Sequence, residues 1–440
     1  MNKKLAGFLL IIMMMLTCCT GCEMSAENGE KKENGENECE TVLRWIVWDE
    51  KTSPYWHALA DAYTKLHKDI RIEMIDLGSN NYQTTLESEL FNPEFECDIV
   101  TLKDVPGYAT LVAKRVLEPL NERIEADKVD LSVYNGTAEQ ITADGQLYQI
   151  PFRSDIWLLY YNKDLFDAAG VPYPGNDMTI EEYDLLVRLI AGRQQGAGDK
   201  KIYGAHYHTW RSTVQLFGIL DGEHTILDGD YGFTKAYYET VKGQEADGIC
   251  RSYIDINASE LHYSAAFAEG NTATMNMGSW YIATLISNLA NGEYDKALCG
   301  NWGIVRYPHP EGVEEGTTLG TITGLAISSR SEHKDAAWDF IKFAGSEEGA
   351  KALAKTGTFP AIMNDEIAEI LTGVDGFPGD KNSKEAIKVK KIYLEAPYEK
   401  DISKINTILD LYHKEIMNGA VSVDEGIRKM NEEVFELLQQ

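Results

Sequence analysis

The chain has 440 residues, enough for two domains with their own cores, and its 44% of apolar residues is the share of an ordinary globular protein. The charge balance is unusual: 41 Lys and Arg face 70 Asp and Glu, a formal net charge of −29. Such a surface repels nucleic acid and anionic lipid headgroups and favours a neutral or cationic small molecule as partner.

Residues 1–22 are a different material. Lys3 and Lys4 open the chain, residues 5–16 are apolar or small without a charge, and small residues follow up to Cys22, which is the layout of an export signal. The apolar run is too short to span a bilayer. It resembles a bacterial lipoprotein signal, in which small residues precede the cysteine that receives lipid. Thr20, Gly21 and Cys22 fit that ending, with Leu16 upstream; Cys19, after Leu16-Thr17-Cys18, is the competing site. The resemblance implies a signal over 1–21 and an anchored Cys22. Residues 22–41 are rich in Glu, Asn and Gly, with Met24 the one sizeable aliphatic side chain of 23–40, and are predicted to be a disordered tether.

From residue 43 strand and helix signals alternate. A strand at 43–48 precedes a helix with Trp56, Leu59, Ala60 and Tyr63 on one face; strands follow at 70–77 and 97–102. This alternation predicts parallel strand-helix-strand units. Residues 147–162 read as extended chain interrupted by Pro151. Thr179 and Glu182 form a capping box for the next helix, and Ser422 and Glu425 another. Strands are predicted at 272–277, 301–307 and 324–329, and the last hundred residues or so read as mostly helical. Ala273, Met275 and Met277 alternate with polar residues, as in a half-buried strand, and Ser279 reads as the N-cap of the next helix. Trp280 then stands beyond the carboxyl end of a strand, where open α/β sheets collect ligands. Its ring is either a platform for a ligand or a cover for the sheet end.

Three blocks carry a resemblance. "QIPFRSDIWLLYYNKDLFDAAGVPYPGNDMTIEEYDLL", "FAEGNTATMNMGSW" and "GLAISSRSEHKDAAWDFIKFAGSEEGAKALAKTGTFPA" resemble, in order and spacing, segments of the bacterial extracellular solute-binding proteins of the sugar-binding family that includes maltose-binding protein. One departure is Thr274, where the family has Ala before Met275. The resemblance covers about 42–360 and implies an α/β, two-lobe periplasmic-binding-protein-like fold with a ligand cleft between lobes and a helical C-terminal region. By analogy the first lobe is 42–150 plus 304–350, and the second 151–303 plus 351–440. It also implies a monomeric receptor, without cofactor or metal, that captures a sugar or oligosaccharide by lobe closure and delivers it to an ABC-type permease.

Holding a sugar asks for flat aromatic faces against its C–H surfaces and charged or amide groups on its hydroxyls. Trp280 matches the Gly-x-Trp of the family, and Asp155, beside Arg153, stands where the family often carries an acid. Trp48, Asp49 and Glu50 end the first strand, and Asp104 follows the third at the same rim. Trp210 precedes a helix of the second lobe and is a further platform; Thr323 lies in a Gly-rich approach, and Tyr82 in the loop after the second strand. Each has a plainer structural alternative: core cover for the tryptophans, solvated helix starts for the acids, turn geometry for the glycines around Thr323.

Rival classes are an exported glycoside hydrolase, whose carboxylate pair any two of the 70 acids could supply, and a solute-binding protein for a peptide or polyamine. No G-x-S-x-G elbow, H-E-x-x-H helix or P-loop is present. His206 and His208 share one strand face, with no third ligand evident nearby. Cys97, Cys250 and Cys299 form no C-x-x-C pair, and a Cys250–Cys299 disulfide stays open.

Overall fold

A computed structural model describes residues 41–194 and 200–439. The export signal, Cys19, Cys22, Cys39 and nearly all of the tether lie outside the described residues; Thr41, expected to end the tether, instead begins the first strand.

Among the described residues nine strands form the frame: β1 (Thr41–Val47), β2 (Ile70–Asp76), β3 (Ile99–Leu102), β4 (Ile150–Asn162), β5 (Tyr203–His206), β6 (Thr272–Gly278), β7 (Trp302–Arg306), β8 (Thr317–Ile327) and β9 (Lys391–Leu394). Their order is β2-β1-β3-β8-β4-β6-β5, with β7 paired to β4 and β9 to β8. The expected parallel units hold for β1 with β2 and β3 and for β5 with β6. The centre is antiparallel, because β8 and β4 run against each other and against β3, β6 and β7. The sheet is therefore mixed. β9, a strand inside the region read as helical, pairs parallel to β8.

Pro151 does not interrupt β4. Lacking an N–H, it sits at a register irregularity between Pro151 and Arg153, where a ladder bond is already missing. The strand stays continuous for 13 residues. Its first part, through Ile156 opposite Gly320, pairs with β8; from Trp157 opposite Gly278 it pairs with β6 and then β7.

The helix Tyr55–Leu66 buries Trp56, Leu59, Ala60 and Tyr63, as its period requires. β6 departs from expectation: all seven residues are buried, so it is covered on both faces rather than half-buried. Its polar face is satisfied at Thr274, whose hydroxyl donates to Gly204 O at 2.7 Å and lies 3.0 Å from Tyr183 Oη. Two apolar cores result, one around β1, β3 and the helix Lys334–Ala344, the other around the helices Ile180–Gln194, Ser212–Ile219 and Ile402–Met417, and Trp280 packs against both. Cys250 and Cys299 fall in different cores as free thiols, so the disulfide left open by the sequence does not form.

Both capping boxes start helices. Thr179 N donates to Glu182 Oε2 at 3.0 Å and Glu182 N to Thr179 Oγ1 at 3.2 Å; Ser422 accepts from Glu425 N at 3.2 Å. Thr179→Ala is expected to cost about 1 kcal/mol in urea unfolding; no loss would mean that packing alone sets this helix start.

Candidate ligand cleft

A cavity of about 510 Å³ opens where β1 and β6 end, beside the first half of β4, lined by Trp48, Tyr55, Arg153, Asp155, Ser279, Trp280 and Asn288 together with the loop Thr356–Phe359. Trp280 opens the helix Trp280–Asn291 directly after β6. Its ring folds back over Gly278, where a Cβ would stand 2.0 Å from Trp280 Cζ3. Only glycine leaves room for the ring there. Trp157 supports it edge-on at 5.7 Å between centroids.

Asp155 and Arg153 form the polar counterpart. Asp155, 6% exposed, accepts from Arg153 Nη2 at 2.6 Å through one oxygen and from Ser279 Oγ at 2.9 Å through the other. Ser279 Oγ also accepts from Ile156 N at 3.2 Å and makes no capping bond to its own helix. The expected N-cap role of Ser279 is thus corrected: Asp155, a buried carboxylate that needs donors, takes its hydroxyl. Arg153 lies 5.4 Å over the Tyr55 ring, and its Nε has no protein partner. Burial pushes the Tyr55 hydroxyl up to about 12, so it remains a donor at neutral pH. The loop reaches the site by adding to the edge of β4: Ser154 N donates to Phe359 O at 3.2 Å and Ala361 N to Phe152 O at 3.0 Å.

The other sequence candidates are scattered. Trp48, 7% exposed, lines the cavity and is held edge-on by Trp56 and Tyr82 at 5.0 Å. Tyr82 itself is 2% exposed and spends its hydroxyl on Thr101 O at 2.9 Å, because it begins a helix that packs inward; it backs Trp48 and does not face the cavity. Asp49 accepts from Ser79 N at 3.0 Å, and Glu50 lies 3.2 Å from His57 Nε2; neither lines the cavity. Trp210 is 40% exposed, 6.3 Å from the Trp280 ring and 5.6 Å from Tyr263, at the rim. Thr323 is buried in the β8 ladder opposite Arg153, and Gly320 is there for close approach, since a Cβ would stand 2.6 Å from Asp155 O. His206 and His208 stand 6.2 Å apart, and burial pushes both rings' pKa values down, to about 3 and about 4; among the described residues no group of three or more ligands is placed to hold a metal.

Asp104 caps the helix Val105–Ala113, accepting from Gly107 N at 2.7 Å, and lines a second cavity of about 160 Å³ with Arg211, Thr321, Glu395 and Asn406. Glu395 accepts a hydrogen bond from Trp157 Nε1. Burial pushes its pKa up to about 7, with Asp155 and Asp104 adding to the rise and the Trp157 bond and Arg211 opposing it. Sequence reasoning missed Tyr55, Asn288, the 356–359 loop and Glu395. The Gly357 turn inside a polar segment of the third resembling block was the one available signal.

Ser279→Ala is expected to cost about 1–3 kcal/mol by leaving Asp155 and Ile156 N–H short of a partner, read by urea unfolding. Glu395 carries its own pH signature. Its folded pKa of about 7 lies above its usual 4.5, so the folded state holds the extra proton between these values and stability declines as pH rises through that window. Glu395→Gln should therefore raise the melting temperature at about pH 8 and leave it nearly unchanged at about pH 4; an equal gain at both would place the effect in packing.

A model of the bacterial extracellular solute-binding protein family matches residues 58–373. A solved sugar transporter from Rhizobium etli, in an open conformation, is 45% identical, with TM-score 0.84 over 90% of this chain and 99% of its own. The lactose-binding protein of Rhizobium radiobacter is 23% identical over 332 residues, 73% of this chain and 74% of its own. The galactooligosaccharide-binding protein of Bacillus subtilis is 23% identical over 398 residues, 84% and 86% of the two chains. The sugar-binding protein MalE of Xanthomonas citri, 18% identical with TM-score 0.71 over 91% of this chain and 98% of its own, shares the fold, which is the expected two-lobe periplasmic-binding-protein fold. The chain belongs to the bacterial extracellular solute-binding proteins, two-lobed binders and not enzymes that work on the outer side of the cytoplasmic membrane.

Proposed function

We propose that this protein is a receptor that captures a sugar or oligosaccharide in the main cavity and delivers it to an ABC-type importer. The observation that carries the reading is the convergence, in one cavity of this family's fold, of the Trp280 and Trp48 rings with the Arg153–Asp155 pair. A ring that loses ~150–250 Å² of surface contributes at most ~4–6 kcal/mol at ~25 cal/mol per Å². Micromolar affinity takes about 8 kcal/mol net, so a platform plus charge-assisted hydrogen bonds to hydroxyls reaches the right order after entropy is subtracted. Relatives named for lactose and galactooligosaccharide support carbohydrate over peptide or polyamine.

The ligand sites in this scheme are Trp280, Trp48, Arg153 and Asp155, with Trp210 extending the platform at the rim and Asp104 facing the second cavity. The two lobes, 42–150 plus 304–350 and 151–303 plus 351–440, close on the sugar. Closure follows because a ligand that touches both lobes only in the closed form shifts the equilibrium toward it. The receptor acts as a monomer, tethered to the outer face of the membrane by lipid on Cys22, and meets the permease's membrane subunits there.

Two experiments test this. In a thermal-shift screen of 42–440 against sugars, oligosaccharides, peptides and polyamines, a saturable sugar shift with the sugar recovered intact is expected, and Trp280→Ala should weaken the binding at least about tenfold, or 1.4 kcal/mol, with the fold kept. A peptide hit with no sugar hit overturns the ligand class. Metabolic labelling with a fatty-acid analogue should mark the full-length protein and be lost in Cys22→Ala; label retained there and lost in Cys19→Ala moves the anchor.

A further inference from the structure

The second cavity is built as a compartment. Asp104 reaches it from the start of one helix, Arg211 and Asn406 from two others, Thr321 from β8 and Glu395 from the end of β9. Glu395 is fixed at its backbone, where its N–H donates to Gly320 O at 3.0 Å, and one carboxylate oxygen receives the Trp157 indole N–H. Trp157 is buried, and its ring meets Trp280 edge-on. A hydrogen bond in one cavity is therefore a single ring away from the aromatic platform in the other.

The charges around Glu395 are unbalanced. Arg211 is already engaged by Asp410 at 2.9 Å, Asn406 at 2.7 Å and Gln215 at 3.0 Å. Among the described residues no cationic side chain forms an ion pair with Glu395 or Asp104. The titratable and charged groups that face Glu395 are Asp155 from β4, Asp104 from its helix, Arg211, and Tyr307 after β7.

We propose that Glu395 is a positioning residue of the sugar site, holding Trp157 behind Trp280, and that capture of a sugar raises the proton occupancy of its free carboxylate oxygen, drawing up to one proton from solvent. This rests on the carbohydrate reading above. Burial is the largest influence on Glu395, and in the ligand-free protein it already brings the carboxyl to about 7. The second cavity lies between the two proposed lobes, with Asp104 and Thr321 on one and Arg211, Glu395 and Asn406 on the other, so lobe closure on a sugar expels water from it too, which penalises the charged form again and strengthens the repulsion from Asp155 and Asp104. The Trp157 bond favours the charged form and limits the rise. A group whose pKa rises on binding takes up a proton, so affinity increases as pH falls through about 7. An O–H bond forms on Glu395, buffer supplies the proton, and no bond of the sugar changes.

The test has a ligand-free arm and a ligand arm. Without ligand, tryptophan fluorescence titrated across neutrality should show a transition near pH 7 in the wild type that is lost in Glu395→Gln; a transition unchanged in that variant overturns the role of Glu395 at Trp157. With lactose, maltotriose and a galactooligosaccharide as probes, calorimetry in phosphate and in Tris should show fractional proton uptake. Affinity should be roughly three- to tenfold tighter at about pH 5.5 than at about pH 8.5. Glu395→Gln, which mimics the neutral carboxyl, should bind with the tighter affinity at both. Sugar binding without proton uptake, or a wild-type pH profile in Glu395→Gln, overturns the proposal. If neither these three probes nor any sugar of the thermal-shift screen binds, the carbohydrate reading fails and the proton coupling with it, while the fluorescence arm still tells whether Glu395 holds Trp157.

Discussion

Everything at the site depends on the continuity of β4. One strand changes partners in mid-course, from β8 at Ile156 to β6 at Trp157. The residues on either side of that change are Asp155, which faces the main cavity, and Trp157, which supports the platform and reaches the second cavity. Ser279, at the end of β6, is tied to the same point by its backbone N–H on Ile156 O at 2.8 Å and by its hydroxyl on Asp155. The groups that line the cavity from β4 and β6 thus inherit their geometry from backbone pairing, which is far stiffer than a loop.

The Arg153–Asp155 pair follows from the same constraint. Two nearly buried charges are costly to dehydrate, and their mutual attraction offsets that cost only when remaining lone pairs and protons are also met. Asp155 meets this with Ser279 Oγ; Arg153 has Tyr55 beneath it and leaves Nε without a partner. In the capture scheme proposed above, that unmet N–H beside an aromatic wall is what a polar ligand would complete.

Much of the frame was legible because it is periodic. β1 to β3, the helix over Trp56 and Tyr63, and both capping boxes follow from spacing alone. The Trp280 position came from a local motif at a strand end. What spacing could not show were relations across the chain. Ser279 has the composition of a cap, and only the arrival of Asp155, 124 positions earlier, turns its hydroxyl to the carboxylate in the cavity wall. Thr358 and Phe359 line the cavity because their loop joins the edge of β4. Tyr82 was misread because a helix start and a loop look alike when the packing direction is unknown. Pro151 was read as an interruption because a proline is tolerated within a strand only where a ladder bond is already absent.

In the capture scheme proposed above, the place of Asp155 also sets how the work is divided. A group beside a fulcrum hardly travels when the arms turn, and Asp155 stands one residue from the point where β4 changes partners. In the capture scheme above it can grip a hydroxyl equally well with the arms apart or together, and an equal grip moves no equilibrium. The leverage belongs to the groups on longer arms, Trp48 at the end of β1 and Asn288 two turns along the helix Trp280–Asn291, which gain or lose contact as the cleft changes width. Anchoring and triggering are then duties of different residues, and a ligand too short to reach from Asp155 to those arms would occupy the cleft without shutting it.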